Sequence, residues 1–226
     1  MNLRDSLSSK NYILKYGALF AYSPYGQSRE EELSKDYKTA VKGDQFYPIS
    51  GKQVQMSNYI AQTISESRRT LPFGRLFDEN PVLVPVRSTS MMKSDSLWAP
   101  LRIATAMQAI GLGKEVSACL ERVYPIQKSA TSGGNRASVQ EQFDSLRVQK
   151  LIADPTSIVL VDDIVTSGRT LVGSARRLAE AYPEVRISGF AAMRTVTLSK
   201  NFKRLNNPVF DEITMYPSGK THRNPD

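Results

Sequence analysis

Apolar residues along this chain fall into two patterns. In the first they form short, nearly unbroken runs: Val82 to Val86, Val116 to Leu120, Ile158 to Val161 and Val185 to Met193. Runs this short and this rich in valine and isoleucine are how strands buried on both faces of a parallel sheet read. In the second pattern apolar residues recur every three or four positions. Leu33, Tyr37 and Val41 mark a helix within Ser28 to Lys42, and Met56, Ile60 and Ile64 mark another within Val54 to Arg69. Leu97, Leu101 and Ala104 lead a third that Gly111 and Gly113 end. Leu171, Val172, Ala175, Leu178, Ala179 and Tyr182 form the apolar face of a fourth, stopped by Pro183. Ile13 to Tyr22 predicts one or two short strands.

The order strand, helix, strand with short links from Ile158 to Met193 predicts a right-handed βαβ unit and hence a parallel sheet. The fold class expected is α/β, with helices on both faces of that sheet. Ligands in such sheets sit at the carboxyl ends of the strands. Arg87, Asp162 and Asp163 all fall at such ends. Two polar stretches interrupt the pattern, Arg87 to Ser96 and Pro125 to Gln142 with Gly133-Gly134 in its middle. The second is long enough to predict a mobile loop with a functional role. Neither an internal repeat nor a low-complexity tract is present.

Composition narrows the chemistry. The chain has 226 residues, 40% hydrophobic and 23% charged, which suits a packed core. No apolar run reaches the roughly 18 residues of a membrane span, and Met1 to Lys10 lacks the apolar stretch of a signal peptide. These features predict a cytoplasmic protein. With one cysteine, Cys119, and one histidine, His222, an internal disulfide, a cysteine zinc site and Ser-His-Asp chemistry are all disfavoured. Cys119 reads as a small buried hydrophobe and Trp98 as a core or interface residue. A net charge of +8 suits an anionic partner, whether a phosphorylated small molecule, nucleic acid or a membrane surface, and equally suits simple solubility.

The segment that carries chemistry is Ile158 to Thr170, Ile-Val-Leu-Val-Asp-Asp-Ile-Val-Thr-Ser-Gly-Arg-Thr. An apolar strand delivers Asp162 and Asp163 to its exit. Ile164 and Val165 lead into a small hydroxylated loop, Thr166, Ser167, Gly168, Arg169 and Thr170, that opens a helix. Backbone N–H groups at a helix start, hydroxyl donors and a glycine permitting close approach make a phosphate cradle. Carboxylates beside such a cradle would repel the phosphate itself. They fit hydroxyl groups farther along the same ligand, as in a ribose 5-phosphate. A carboxylate pair that binds magnesium in a different α/β enzyme is the alternative reading of the same residues.

This string resembles the phosphoribosyl diphosphate (PRPP) motif of type I phosphoribosyltransferases. Across residues 81 to 200 the arrangement is also similar to the ComF-like branch of that group, which is associated with competence. The shared features are Val84-Pro85-Val86-Arg87, then Arg122, Pro125 with Gln127, Arg136 and Phe143 in similar order. Two features depart from that branch. The chain cannot form a cysteine-rich zinc ribbon, and Ser96-Leu-Trp-Ala-Pro100 stands where the branch carries an Asn-Gln pair. The acceptor is therefore left open.

The resemblance implies a parallel-stranded type I core over residues 76–200. Residues 1–75 would form a hood or helical addition, and residues 201–226 a tail that joins the hood. It implies Mg²⁺ held through PRPP rather than by the protein. It implies transfer of ribose 5-phosphate to a nitrogen acceptor, a nucleobase or related compound, with release of pyrophosphate. Asp162 and Asp163 would accept from the ribose hydroxyls, and Ile164 to Thr170 would surround the 5-phosphate. Val86, Arg87 and Ser88 would grip pyrophosphate, with Arg87 neutralising the leaving group. Arg122, Lys128 and Arg136 would reach the diphosphate from a closing loop. A homodimer is expected by analogy. The competing expectations are a PRPP-binding regulatory protein without turnover, and a DNA-uptake or defence accessory that contacts nucleic acid through its basic surface.

Overall fold

The computed structural model of the protein describes residues 10–87, 97–126, 137–150 and 155–223. In chain order the strands are β1 (Tyr12–Tyr22), β2 (Phe46–Ile49), β3 (Lys52–Gln55), β4 (Val82–Pro85), β5 (Glu115–Val116), β6 (Leu120–Arg122), β7 (Leu146–Val148), β8 (Ser157–Val165), β9 (Arg186–Thr195), β10 (Val209–Met215) and β11 (Thr221–Arg223). The α-helices are α1 (Arg29–Gly43), α2 (Met56–Ser67), α3 (Ala99–Ala109), α4 (Val139–Asp144) and α5 (Arg169–Ala181).

Seven strands form the main sheet in the order β11-β10-β1-β9-β8-β4-β5. From β1 to β5 the neighbours run parallel, while β10 and β11 are antiparallel additions at one edge. The chain leaves β4 through α3 toward β5 on one side, and leaves β8 through α5 toward β9 on the other. The boundary between β4 and β8 is therefore the switch point at which α/β sheets bind ligands.

Strand alternation explains why both faces are apolar. Val159 and Val161 join one buried cluster with Phe190, Ala192 and the helices α1, α2 and α3. Ile158 and Leu160 join a second with Val82, Val84, Ala191 and the apolar stripe of α5. Helices therefore cover both faces, and the α/β fold class expected from the pattern is the one observed.

Segments near both ends of the chain take part in the main sheet. Ile13 to Tyr22 lies within a single eleven-residue strand, paired to β9 on one side and β10 on the other. Its inward residues Tyr16, Ala18, Leu19 and Phe20 are buried. Residues 1–75 thus contribute the central strand β1, and residues 201–226 contribute β10 and β11. Between β1 and β4 the chain adds α1, the β2–β3 hairpin, α2 and a short 3-10 turn at Gly74–Phe77 outside the sheet. The two helices predicted there form, the first opened by a capping box between Ser28 and Glu31. Among the described residues no helix is long and apolar enough to cross a membrane.

Candidate active site

Strand β8 is the most deeply placed element of the site. Its run Ser157 to Val161 is buried, whereas Asp162, Asp163 and Ile164 are partly exposed. The strand continues to Val165, beyond the expected end. Asp162 pairs with Ala191 and Ile164 with Met193 of β9, so the carboxylates leave the sheet at its carboxyl edge. Side-chain alternation breaks at this point: Val161 and Ile164 both pack on the side of α1 to α3, and Val165 on the α5 side. The two carboxyl groups are side-chain neighbours, and the charge of Lys42 at the end of α1 also acts on Asp162. One oxygen of each carboxylate is turned onto the backbone: Asp162 Oδ1 accepts from Asp163 N–H at 2.9 Å, and Asp163 Oδ1 from Ile164 N–H at 2.7 Å. Desolvation pushes the Asp162 carboxyl well above its ordinary value, and the negative charge of Asp163 pushes it the same way.

The loop after β8 closes a cavity of about 130 Å³ lined by Asp162, Ile164, Val165, Thr166, Ser167, Gly168, Arg169, Thr170 and Leu171. That is several times the roughly 30 Å³ share of one water, enough for a phosphate group. Gly168 caps α5 with φ +75°, a left-handed conformation that glycine adopts without strain. The first turn of α5 directs its N–H groups toward the cavity and adds the positive end of the helix dipole. The sequence grouped both carboxylates with this loop; the fold brings only Asp162 to the cavity itself.

Arg223 of β11, 6% exposed, sits behind the loop. Its Nε donates to the Thr166 carbonyl at 2.8 Å and its Nη1 to the Tyr16 hydroxyl at 3.2 Å. Its Nη2 donates to the Thr195 carbonyl. The Thr166 and Thr195 hydroxyls share a hydrogen bond at 2.9 Å. Sequence reasoning missed Arg223, Thr195 and Tyr16. A three-residue strand gives no periodicity, so nothing along the chain points to Arg223.

Beside β8, the exit of β4 is tied in by Val86 N–H, which donates to the Val161 carbonyl at 2.9 Å. Arg87 follows. Its Nε donates to the Leu120 carbonyl at 2.8 Å, and its guanidinium lies 4.0 Å from the centre of the Trp98 ring. Trp98 Nε1 donates to the Val86 carbonyl at 2.8 Å. Trp98 thus supports the β4 exit, in line with its reading as an interface residue. Burial lowers the Arg87 pKa from its usual value.

Arg122 differs from its expected place. It lies in β6 rather than on a loop and is 5% exposed. Its guanidinium donates to Ser145 Oγ at 2.5 Å, to Gln142 Oε1 at 3.2 Å and to the Arg87 carbonyl at 3.4 Å. Short-range bonding of this kind makes it a brace beneath the β4 exit. Ser88, Lys128 and Arg136 lie outside the described residues. Part of the stretch expected as one long loop is helix α4, capped by Ser138 with Glu141. Cys119 is buried, as its apolar surroundings suggest, and burial raises its thiol pKa.

Among the described residues no three His, Cys, Asp or Glu side chains gather to hold a metal ion.

A model of the phosphoribosyl transferase domain matches residues 60–214, more than half of the chain. The chain belongs to the phosphoribosyl transferase domain family. No curated protein matches it. Solved structures similar to it include a hypoxanthine phosphoribosyltransferase from Staphylococcus aureus, 9% identical, covering 67% of this chain and 85% of that one at a TM-score of 0.29. Another is a Trypanosoma cruzi hypoxanthine phosphoribosyl transferase, 13% identical, covering 77% and 86% at a TM-score of 0.27. Likenesses this distant do not bear on the acceptor.

Proposed function

We propose that this protein binds PRPP at the β8 exit and transfers its ribose 5-phosphate to a nitrogen acceptor, releasing pyrophosphate. The observation that carries the reading is the small cavity formed by Asp162 and the whole loop from Thr166 to Thr170 at the switch point of the sheet. In the reaction the bond between ribose C1 and the pyrophosphate oxygen breaks, a C1–N bond forms, and the acceptor nitrogen loses its proton.

The loop holds the 5-phosphate through the N–H groups of Ser167 to Thr170 and through the hydroxyls of Ser167 and Thr170. Asp162 and Asp163, neighbours at the strand exit, accept from the ribose hydroxyls. Fixing the sugar at both ends leaves C1 between them, so that positioning supplies much of the catalysis. Arg87 stands at the β4 exit, where its charge would oppose that of the departing pyrophosphate.

Mg²⁺ fits this site as an ion shared with the ligand. It prefers oxygen ligands, keeps several waters and commonly binds through substrate phosphates plus one or two carboxylates. Held by the diphosphate and the ribose hydroxyls, it would neutralise the leaving group, with Asp162 and Asp163 as outer partners. Val84 to Arg87 and the order Arg122, Pro125, Gln127, Arg136, Phe143 support a place near the ComF-like branch.

The reading is tested by pyrophosphate release from PRPP and Mg²⁺ across a panel of nucleobases. Steady release that requires one acceptor supports it. PRPP binding with no release from any acceptor would select the alternative, a binding protein without turnover.

A further inference from the structure

We infer that Arg223 is a positioning residue for the phosphate loop: from the far side of the sheet edge it aims the Ser167 N–H at the ligand's phosphate. The inference rests on the functional reading above and names a residue which that reading does not use. Three observations support it.

The first is the peptide unit. The Thr166 carbonyl and the Ser167 N–H belong to one peptide bond, and a trans peptide directs them in opposite senses. There is no cis peptide bond among the described residues. Arg223 Nε holds the Thr166 carbonyl at 2.8 Å on the β11 side. The Ser167 N–H of that same unit is thereby turned toward the cavity that Ser167 lines. A charged donor on the carbonyl also polarises the amide and strengthens its N–H as a donor.

The second is the fork. A guanidinium is planar and rigid, so its donors hold two carbonyls in a fixed relation. Here those carbonyls are the last of two neighbouring strands, Thr166 after β8 and Thr195 of β9. The hydroxyl contact between Thr166 and Thr195 closes the same arrangement from the side chains.

The third is support and burial. Ile213 of β10, fully buried, packs against Gly168, where an added Cβ would meet Ile213 Cδ1 at 2.6 Å. The hairpin that presents Arg223 therefore also backs the loop's glycine. A buried positive charge behind the loop favours a phosphate dianion in front of it.

The test compares two probes in one protein: ribose 5-phosphate, which needs the loop, and inorganic pyrophosphate, which does not. For Arg223→Met, calorimetry should show ribose 5-phosphate binding weakened about tenfold or more, with pyrophosphate binding changed less than twofold. The Ser167 amide should shift in the ¹H–¹⁵N spectrum of the ligand-free protein. Arg223→Lys, which keeps the charge but not the fork, should recover part of the affinity, and it serves in place of the methionine variant if that variant does not fold. Equal weakening of both probes, or no weakening of ribose 5-phosphate, would overturn the inference alone. A native chain that binds no ribose 5-phosphate would overturn the functional reading along with it.

Discussion

Asp162 is held in an environment that suits a ligand better than it suits the free protein. Burial and the charge of Asp163 both raise its carboxyl pKa. A carboxyl whose folded pKa lies above its unfolded value weakens the fold once pH rises through that folded value. Asp162→Asn removes this opposition. The ligand-free variant should therefore melt at the same temperature as the native chain or higher near neutral pH, as scanning calorimetry would record, while losing PRPP affinity. A hydrogen bond to a charged group contributes about 1.5–3 kcal/mol, so a loss of roughly 10- to 100-fold is expected. At this scale much was legible in advance, because Asp162, Asp163 and Thr166 to Thr170 are consecutive and their chemistry travels with the string. The bracing role of Arg122, named only as a diphosphate contact, and the whole part of Arg223 were not, because what each braces lies far away in sequence. Arg122 reaches Gln142 and Ser145, and Arg223 reaches Tyr16.

Elements constrain the site through their joints. At the β8–α5 joint, Gly168→Ala places a Cβ at φ +75° against Ile213. A non-glycine residue in such a conformation costs about 1–3 kcal/mol. Thermal unfolding should show that loss, and phosphate binding should weaken with it. At the start of α1, Glu31 joins three segments. Its carboxylate accepts from Ser199 Oγ at 2.5 Å, from Ser28 N–H at 3.1 Å and Oγ at 2.7 Å, and from Ser23 Oγ at 3.0 Å. These bonds, the Ser199 bond foremost, lower its pKa from 4.5 to about 2. The stabilisation is complete above the ordinary value near 4.5 and is lost as pH falls toward about 2. Glu31→Gln should flatten that part of the stability–pH curve in denaturant titrations; an unchanged slope would refute the assignment. Ser28 and Glu31 announce this cap in sequence, three residues apart. Their tie to Ser199 is tertiary and left no local mark. The long helices and the buried strands of the core were readable from periodicity for the same local reason. The run Val116 to Leu120, read as one strand, is instead split between the end of β5 and the start of β6, which belong to different sheets, and a strand as short as β11 left no pattern.

For the molecule as a whole, the position of β1 matters most. It is paired to β9 over Tyr16 to Tyr22 and to β10 over Tyr12 to Ala18. The family match begins at residue 60, well after it. A version of the chain beginning at residue 60 would lose the strand that joins β10 and β11 to the parallel sheet, and would expose Phe190 and Ala191. It should fail to fold cooperatively, giving no sigmoidal transition by circular dichroism. A native-like transition would show that β1 is dispensable. Strand pairing across more than 170 positions carries no signal in a single sequence, so the place of β1 in the sheet was not legible.

The central claim is that the β8 exit is a ribose-phosphate site. Its most direct test is calorimetric titration of PRPP with Mg²⁺ into the native chain and into Asp162→Asn/Asp163→Asn. Saturable one-site binding that the double substitution abolishes, with the fold intact by circular dichroism, is the predicted result. Binding of equal strength in both proteins, or none in the native chain, would contradict it.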